Sequence, residues 1–148
     1  MIKPFSLGQE KEVNNLIRSV FKEFVGFEYS EEGNKVFNDF IKPENILERH
    51  KNGNIILTYE KNDRIIGMIE VRDNNHICLF FVDKKYHNKG IGRELFNEVL
   101  LKIEGKTEYF EVNASPFSEE IYSKLGFKSI GEKKEINGIL FIPMKMVL

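Results

Sequence analysis

The chain has 148 residues, 41% of them hydrophobic and 30% charged, with four prolines, a balance that suits one folded domain and excludes a disordered or collagen-like chain. Lysine and arginine (22) nearly cancel aspartate and glutamate (23), and neither sign gathers into a block, which disfavours nucleic acid as the main partner. The lone cysteine, Cys78, excludes an internal disulfide and a cysteine-rich zinc site, and no apolar run reaches secretory or membrane-spanning length; the expectation is a single cytoplasmic domain over residues 1–148 with no membrane partner.

Residues 2–5 can form an opening strand. Residues 10–25 carry apolar side chains at Val13, Leu16, Ile17, Val20, Phe21, Phe24 and Val25, one stripe at helical spacing. Gly26 ends that helix. Ser30 can cap a second helix with an apolar face of Val36, Phe37, Phe40 and Ile41, and Pro43 suits the first turn of a third. The pattern then changes to strands at 55–59 and 64–71, joined by Lys61-Asn62-Asp63, and a turn at Asp73-Asn74-Asn75 leads to the nearly all-apolar run 76–82, expected as a central strand covered on both faces.

Helical spacing returns over 90–103, a short strand follows at 109–113, and Ser115-Pro116 reads as the cap and first turn of a helix ending at Gly126. Two closing strands, 127–133 and 139–147, turn at Asn137-Gly138. The order implies a mixed α/β fold and excludes a doubly wound one.

The chemistry centres on His87-Asn88-Lys89-Gly90-Ile91-Gly92, at the start of the 90–103 helix. Free N–H groups at a helix N-terminus, with its dipole, supply the converging donors that a diphosphate needs. Gly90 and Gly92 let phosphate oxygens approach the main chain, and Lys89 and Arg93 flank them with positive charge. A dinucleotide fingerprint would need a glycine where Leu95 stands, and a P-loop would need Gly-Lys-Ser/Thr, which is absent.

With a buried strand before it and an amphipathic helix after it, this turn resembles the Gln/Arg-x-x-Gly-x-Gly/Ala signature of the GNAT superfamily of N-acetyltransferases. The likeness runs from about residue 55 to residue 127, through Phe80-Phe81-Val82, Asn113 and Tyr122-Ser123-Lys124-Leu125-Gly126-Phe127. His87 departs from the family's Gln or Arg. The resemblance implies a mostly antiparallel central sheet flanked by helices, with splayed central strands. It also implies a coenzyme A site at His87 to Arg93 and a pantetheine arm paired with the main chain of Phe80, Phe81 and Val82, with Asn113 beside it.

By the same resemblance, Tyr122 stands where the family's tyrosine reaches the departing thiolate. Ordinary values of about 10 for tyrosine and about 8.5 for a thiol make full proton transfer uphill by roughly 2 kcal/mol, so a hydrogen bond to sulfur matters as much as protonation. The amine must also lose a proton. Glu70, a carboxylate in an otherwise apolar strand, is the first candidate base and Glu111 the second. His50, His76 and His87 lack metal-ligand spacing, so no metal is expected; Cys78 reads as a core residue. The resulting expectation is acetyl transfer from acetyl-CoA to a primary amine of a small molecule, peptide or protein, by a monomer or homodimer, with residues 26–31 and 133–138 choosing the acceptor. The rival is a non-catalytic acyl-CoA-binding or sensing domain, which would keep the turn without needing Tyr122 or Glu70.

Overall fold

The computed structural model describes every residue from Met1 to Leu148. A short strand, β1 (Ile2–Pro4), precedes three helices: α1 (Glu10–Phe24), α2 (Glu31–Phe40) and α3 (Pro43–Lys51). The apolar stripe of α1 is buried at Val13, Leu16, Ile17, Val20 and Phe21. Ser30 caps α2 as expected, its hydroxyl accepting from the Gly33 N–H at 3.1 Å, and Pro43 occupies the first turn of α3.

Three antiparallel strands follow: β2 (Ile55–Lys61), β3 (Arg64–Arg72) and β4 (His76–Val82). Then come α4 (Ile91–Lys102), β5 (Tyr109–Ala114), α5 (Glu119–Leu125), β6 (Lys128–Ser129), β7 (Lys134–Ile136) and β8 (Ile139–Val147). The sheet runs β1-β2-β3-β4-β5-β8-β6, with β7 paired to β8. Only β4 and β5 are parallel. This is the mixed, mostly antiparallel sheet that the resemblance implied.

Two cores fill the two faces of the sheet. Under α1 and α3 lie Ile17, Ile46, Met68 and Leu79; under α4 and α5 lie Ile69, Ile77, Leu95, Phe110 and Tyr122. β4 serves both, because alternate side chains leave a strand on opposite faces. Phe80 and Val82 pack on the α4 side, Phe81 on the α1 side.

Two local expectations change. The strand expected over 127–133 shortens to β6 (Lys128–Ser129), and β7 (Lys134–Ile136) forms just beyond it. The Ile130 N–H donates to the Pro143 carbonyl at 2.9 Å, and Pro143, with no N–H of its own, cannot extend the ladder. The helix expected from Pro116 begins only at Glu119, after a 3-10 turn at Pro116–Ser118. Ser115 and Ser118 share a hydrogen bond of 2.6 Å between hydroxyls, so Ser115 does not cap the helix through its side chain.

Candidate active site

The sheet opens where β4 meets β5. The two strands register only at His76↔Glu111 and Ile77↔Val112, after which they part. A bulge in the β3–β4 ladder at Glu70/Val71 helps to turn β4 away. Beyond the fork, the β5-facing main chain of Cys78 to Val82 pairs with no strand. A cleft of about 470 Å³ follows this edge to the start of α4, lined among others by Phe80, Val82, Gly90, Gly92 and Tyr122.

The turn before α4 is held open by its backbone. Asn88 and Gly90 both lie in the left-handed region, with φ of 61° and 82°, which asparagine tolerates and glycine adopts freely. Gly90 is the N-cap of α4 and no side chain caps it. The Ile91, Gly92 and Arg93 N–H groups therefore donate to no protein acceptor, leaving three aligned donors and the helix dipole at the cleft. A Cβ on Gly92 would lie 3.4 Å from the Phe80 ring, an ordinary contact, so the protein itself does not demand glycine there.

The flanking side chains divide their work. Lys89 and Lys61 both stand over the Tyr86 ring, their ammonium nitrogens 5.7 and 5.2 Å from its centroid. Arg93 donates to the Lys124 carbonyl at 3.1 Å and ties α4 to the end of α5. His87 turns back: its Nε2 lies 2.7 Å from the Val82 carbonyl, and its ring packs against Phe24. The imidazole braces the end of β4.

Tyr122, on α5, is 6% exposed and sits edge-on to Phe80 and Phe127, at centroid distances of 6.1 and 5.4 Å. Burial pushes its ionisation far above the ordinary tyrosine value. The phenol stays neutral at physiological pH and can donate a hydrogen bond into the cleft.

The family model of the GNAT acetyltransferase domain matches residues 27–148. The chain belongs to the GNAT acetyltransferase family. Its fold is similar to that of a GCN5-related N-acetyltransferase from Rhodopseudomonas palustris, at 19% identity and a TM-score of 0.84 over 100% of this chain and 95% of that one. The PaiA N-acetyltransferase of Thermoplasma acidophilum, solved in complex with coenzyme A, aligns over 100% of this chain and 98% of its own at 20% identity and a TM-score of 0.81. An aminoglycoside 6'-N-acetyltransferase from Enterococcus faecium aligns over 99% of this chain and 96% of its own, with 15% identity and a TM-score of 0.66. At these identities the likeness is one of fold.

Within this GNAT domain, Glu70 does not face the cleft, and its candidacy as base is corrected. Its side chain is fully buried on the α3 side of the sheet. One oxygen accepts from Arg49 Nε at 2.7 Å and Asn54 Nδ2 at 2.8 Å, the other from Arg49 Nη2 at 3.1 Å. The carboxylate is committed to a buried ion pair with Arg49 and lies outside the cleft lining. Asn113 also stands apart: it is exposed, opposite Pro143 on β5, and outside the cleft lining. Burial pushes the Cys78 thiol up to about 11, which keeps it protonated and a poor nucleophile. No three His, Cys, Asp or Glu side chains converge as a metal centre requires.

Three features of the GNAT site escape sequence reasoning. Phe24 stacks on Phe117 with centroids 4.9 Å apart, joining α1 to the turn before α5 across the cleft. Residues 26–31 and 133–138, assigned separately to the acceptor, converge: the Ser30 N–H donates to the Gly138 carbonyl at 3.2 Å, and Gly33 packs directly on Gly138. His76 Nδ1 lies 3.3 Å from Glu111 Oε1 at the fork. A larger basin of about 740 Å³ between α1 and α2, lined by Asn14, Asn34, Arg18 and Lys22, lies away from the turn and shares none of its donors.

Proposed function

We propose that this chain moves an acetyl group from acetyl-CoA to a primary amine by direct attack, without an acyl-enzyme. One observation carries the reading: an unpaired stretch of β4 main chain leads straight to a helix N-terminus with three open N–H donors. The donor set fits coenzyme A. The Ile91, Gly92 and Arg93 N–H groups would hold the diphosphate, Lys89 and Lys61 would add positive charge beside it, and the Phe80-to-Val82 main chain would pair with the amides of the pantetheine arm. Acetyl-CoA supplies the activated acyl group.

The remaining chemistry falls to the protein. A main-chain N–H of the splayed strand polarises the thioester carbonyl as negative charge develops on its oxygen. The amine nitrogen bonds to the carbonyl carbon and gives up a proton to water, the C–S bond breaks, and the electron pair stays on sulfur. Tyr122 meets that sulfur with its hydroxyl proton. Because burial raises the phenol far above a thiol, transfer is more uphill than the reference values give, and hydrogen bonding is its main contribution. The joined segments around Ser30 and Gly138 form the mouth through which the acceptor enters, as a small molecule, a peptide or a protein amine.

Thermal unfolding with coenzyme A and acetyl-CoA tests the cofactor. Saturation at 100 times Kd stabilises by about 2.7 kcal/mol, a rise of roughly 5–11 °C for a chain of this size; no shift with either compound sinks the reading. Thiol release across a panel of amines then tests turnover. Tyr122→Phe is expected to bind coenzyme A as wild type does and to turn over slowly, and an equal rate removes Tyr122 from the mechanism. Binding without turnover on any amine identifies the sensing domain instead.

A further inference from the structure

The cleft has two walls of different chemistry, and coenzyme A accounts for only one of them. We propose that the other wall, built on Phe24, Phe81 and Phe117, holds the body of the acceptor, and that the acceptor is a small primary monoamine on an uncharged aryl or alkyl group. The proposal rests on the acetyltransferase reading and names the substrate class within it.

The division of the walls follows from side-chain alternation along β4. Phe80 and Val82 pack on the α4 and α5 side together with Tyr122, the side on which the helix N-terminus and the phenol serve the cofactor. Phe81 leaves the strand toward α1. With the pantetheine arm along the edge of β4 and Tyr122 at its sulfur, the face of the thioester left open to a nucleophile is the α1 face. Val20, Phe24, Val25 and Phe81 line the cleft there, and Phe117 and Ile121 meet them from the turn before α5 and from α5 itself.

These rings are fixed in place by the protein. Phe24 stacks on Phe117 with centroids 4.9 Å apart and planes at 27°, and its other neighbour is the His87 ring at 5.2 Å. Phe81 rests on Phe37 at 6.2 Å, and Phe37 is stacked on Phe21 at 3.9 Å. Phe117 and Ile121 belong to neither core and stay 38% and 47% exposed. Large apolar side chains left open at the rim of a ligand cleft, where no core requires them, are surface kept for a ligand.

Charge narrows the class. Glu120 is the one carboxylate in the lining, and the Lys124 ammonium stands 3.5 Å from it. The remaining charges beside the cleft are cationic, with Lys61 and Lys89 over the Tyr86 ring. Glu23, next to Phe24 in sequence, is held by Lys84 at 2.6 Å, and Glu28 belongs to the mouth, outside the lining. A polyamine or an aminoglycoside keeps further ammonium groups while one amine reacts, and along this wall they would lose water without gaining a free carboxylate. A single amine on an apolar body meets no such cost. Size points the same way: the cleft, about 470 Å³, must also hold the end of the pantetheine arm, which leaves room for a group of phenethyl size. The products are the N-acetylated amine and the coenzyme A thiol.

Binding and turnover both test the assignment. With coenzyme A saturating, phenethylamine should raise Tm further by forming a dead-end complex, whereas spermidine and kanamycin should not; no further shift with phenethylamine overturns the proposal even without turnover. With acetyl-CoA, kcat/KM should rise at least about 10-fold from ethylamine to phenethylamine, the scale on which an apolar pocket reads added methylene groups, and should exceed the values for spermidine and kanamycin. Phe24→Ala and Phe117→Ala should bring the phenethylamine-to-ethylamine ratio close to one through KM while the thermal shift with coenzyme A is kept. Phe117→Ala carries this test alone should Phe24→Ala not fold, because Phe117 lies outside both cores. Phe117→Glu should turn the preference toward spermidine.

Wild-type preference for spermidine or kanamycin, or an unchanged ratio in the alanine variants, refutes the acceptor assignment and leaves acetyl transfer intact. Faster use of hexanoyl-CoA than of acetyl-CoA, with the advantage lost in Phe117→Ala, gives the wall to the acyl chain and equally overturns the proposal. Absence of coenzyme A binding by the wild type instead removes the acetyltransferase reading on which it rests.

Discussion

Arg49→Ala is the substitution with the largest expected cost. It leaves the Glu70 carboxylate fully buried with Asn54 as its remaining side-chain partner. Removing one member of a buried ion pair typically costs 3–5 kcal/mol, because the other charge stays desolvated. The guanidinium also lies 3.8 Å above the Phe40 ring, worth about 0.5–1 kcal/mol more. The sum, near 5 kcal/mol, lowers Tm by about 10–20 °C at this chain length, measured by circular dichroism at pH 7. Replacing both partners, as in Arg49→Met with Glu70→Leu, should recover most of the loss, since an apolar pair of similar volume carries no stranded charge. The reasoning fails if Arg49→Ala lowers Tm by less than about 2 °C. It fails equally if Glu70→Gln removes turnover while Tm and coenzyme A affinity hold, which would restore Glu70 as the base.

Gly92→Ala separates folding from binding. The new Cβ meets only ordinary contacts, so the free protein should gain up to about 1 kcal/mol from the better helix former, while its stabilisation by coenzyme A shrinks; paired melts with and without ligand check both. Gly33→Ala would drive a Cβ into the Gly138 backbone, and the hairpin must move. The KM for the amine should rise several-fold in steady-state assays while coenzyme A binding is kept. His76 supplies a pH dependence of stability. Its proton is bound less tightly folded than unfolded, so its contribution is present above 6.5 and lost as pH falls through the lowered folded value. Urea unfolding between pH 5 and 7 should show this loss, and His76→Gln should flatten it.

What could be read from the sequence was local. The apolar stripe of α1, the cap at Ser30 and the glycines of the α4 turn depend on neighbours within a few residues, and the structure reproduces them. The misplaced reading of Glu70 has the opposite origin. A carboxylate in an apolar strand does need a reason, but the reason is Arg49, 21 residues earlier on a helix that folds back across the sheet. Periodicity carries no information about such a crossing. The His76–Glu111 pair spans 35 residues and exists only because β4 and β5 register there. His87 shows the limit from another side: its departure from the family signature was visible, but its inward turn to the Val82 carbonyl depends on how the strand ends.

The fork between β4 and β5 places a sheet rim in the interior of the molecule. A ligand that docks there as though it were one more strand is recognised by peptide groups, which are the same in every residue but proline. Leu79 is thereby left to fill the core under α1 and α3, while Phe80, Phe81 and Val82 pack against the two cores and also line the cleft. Substitutions along this segment that keep volume and shape and avoid proline leave that peptide-group recognition in place.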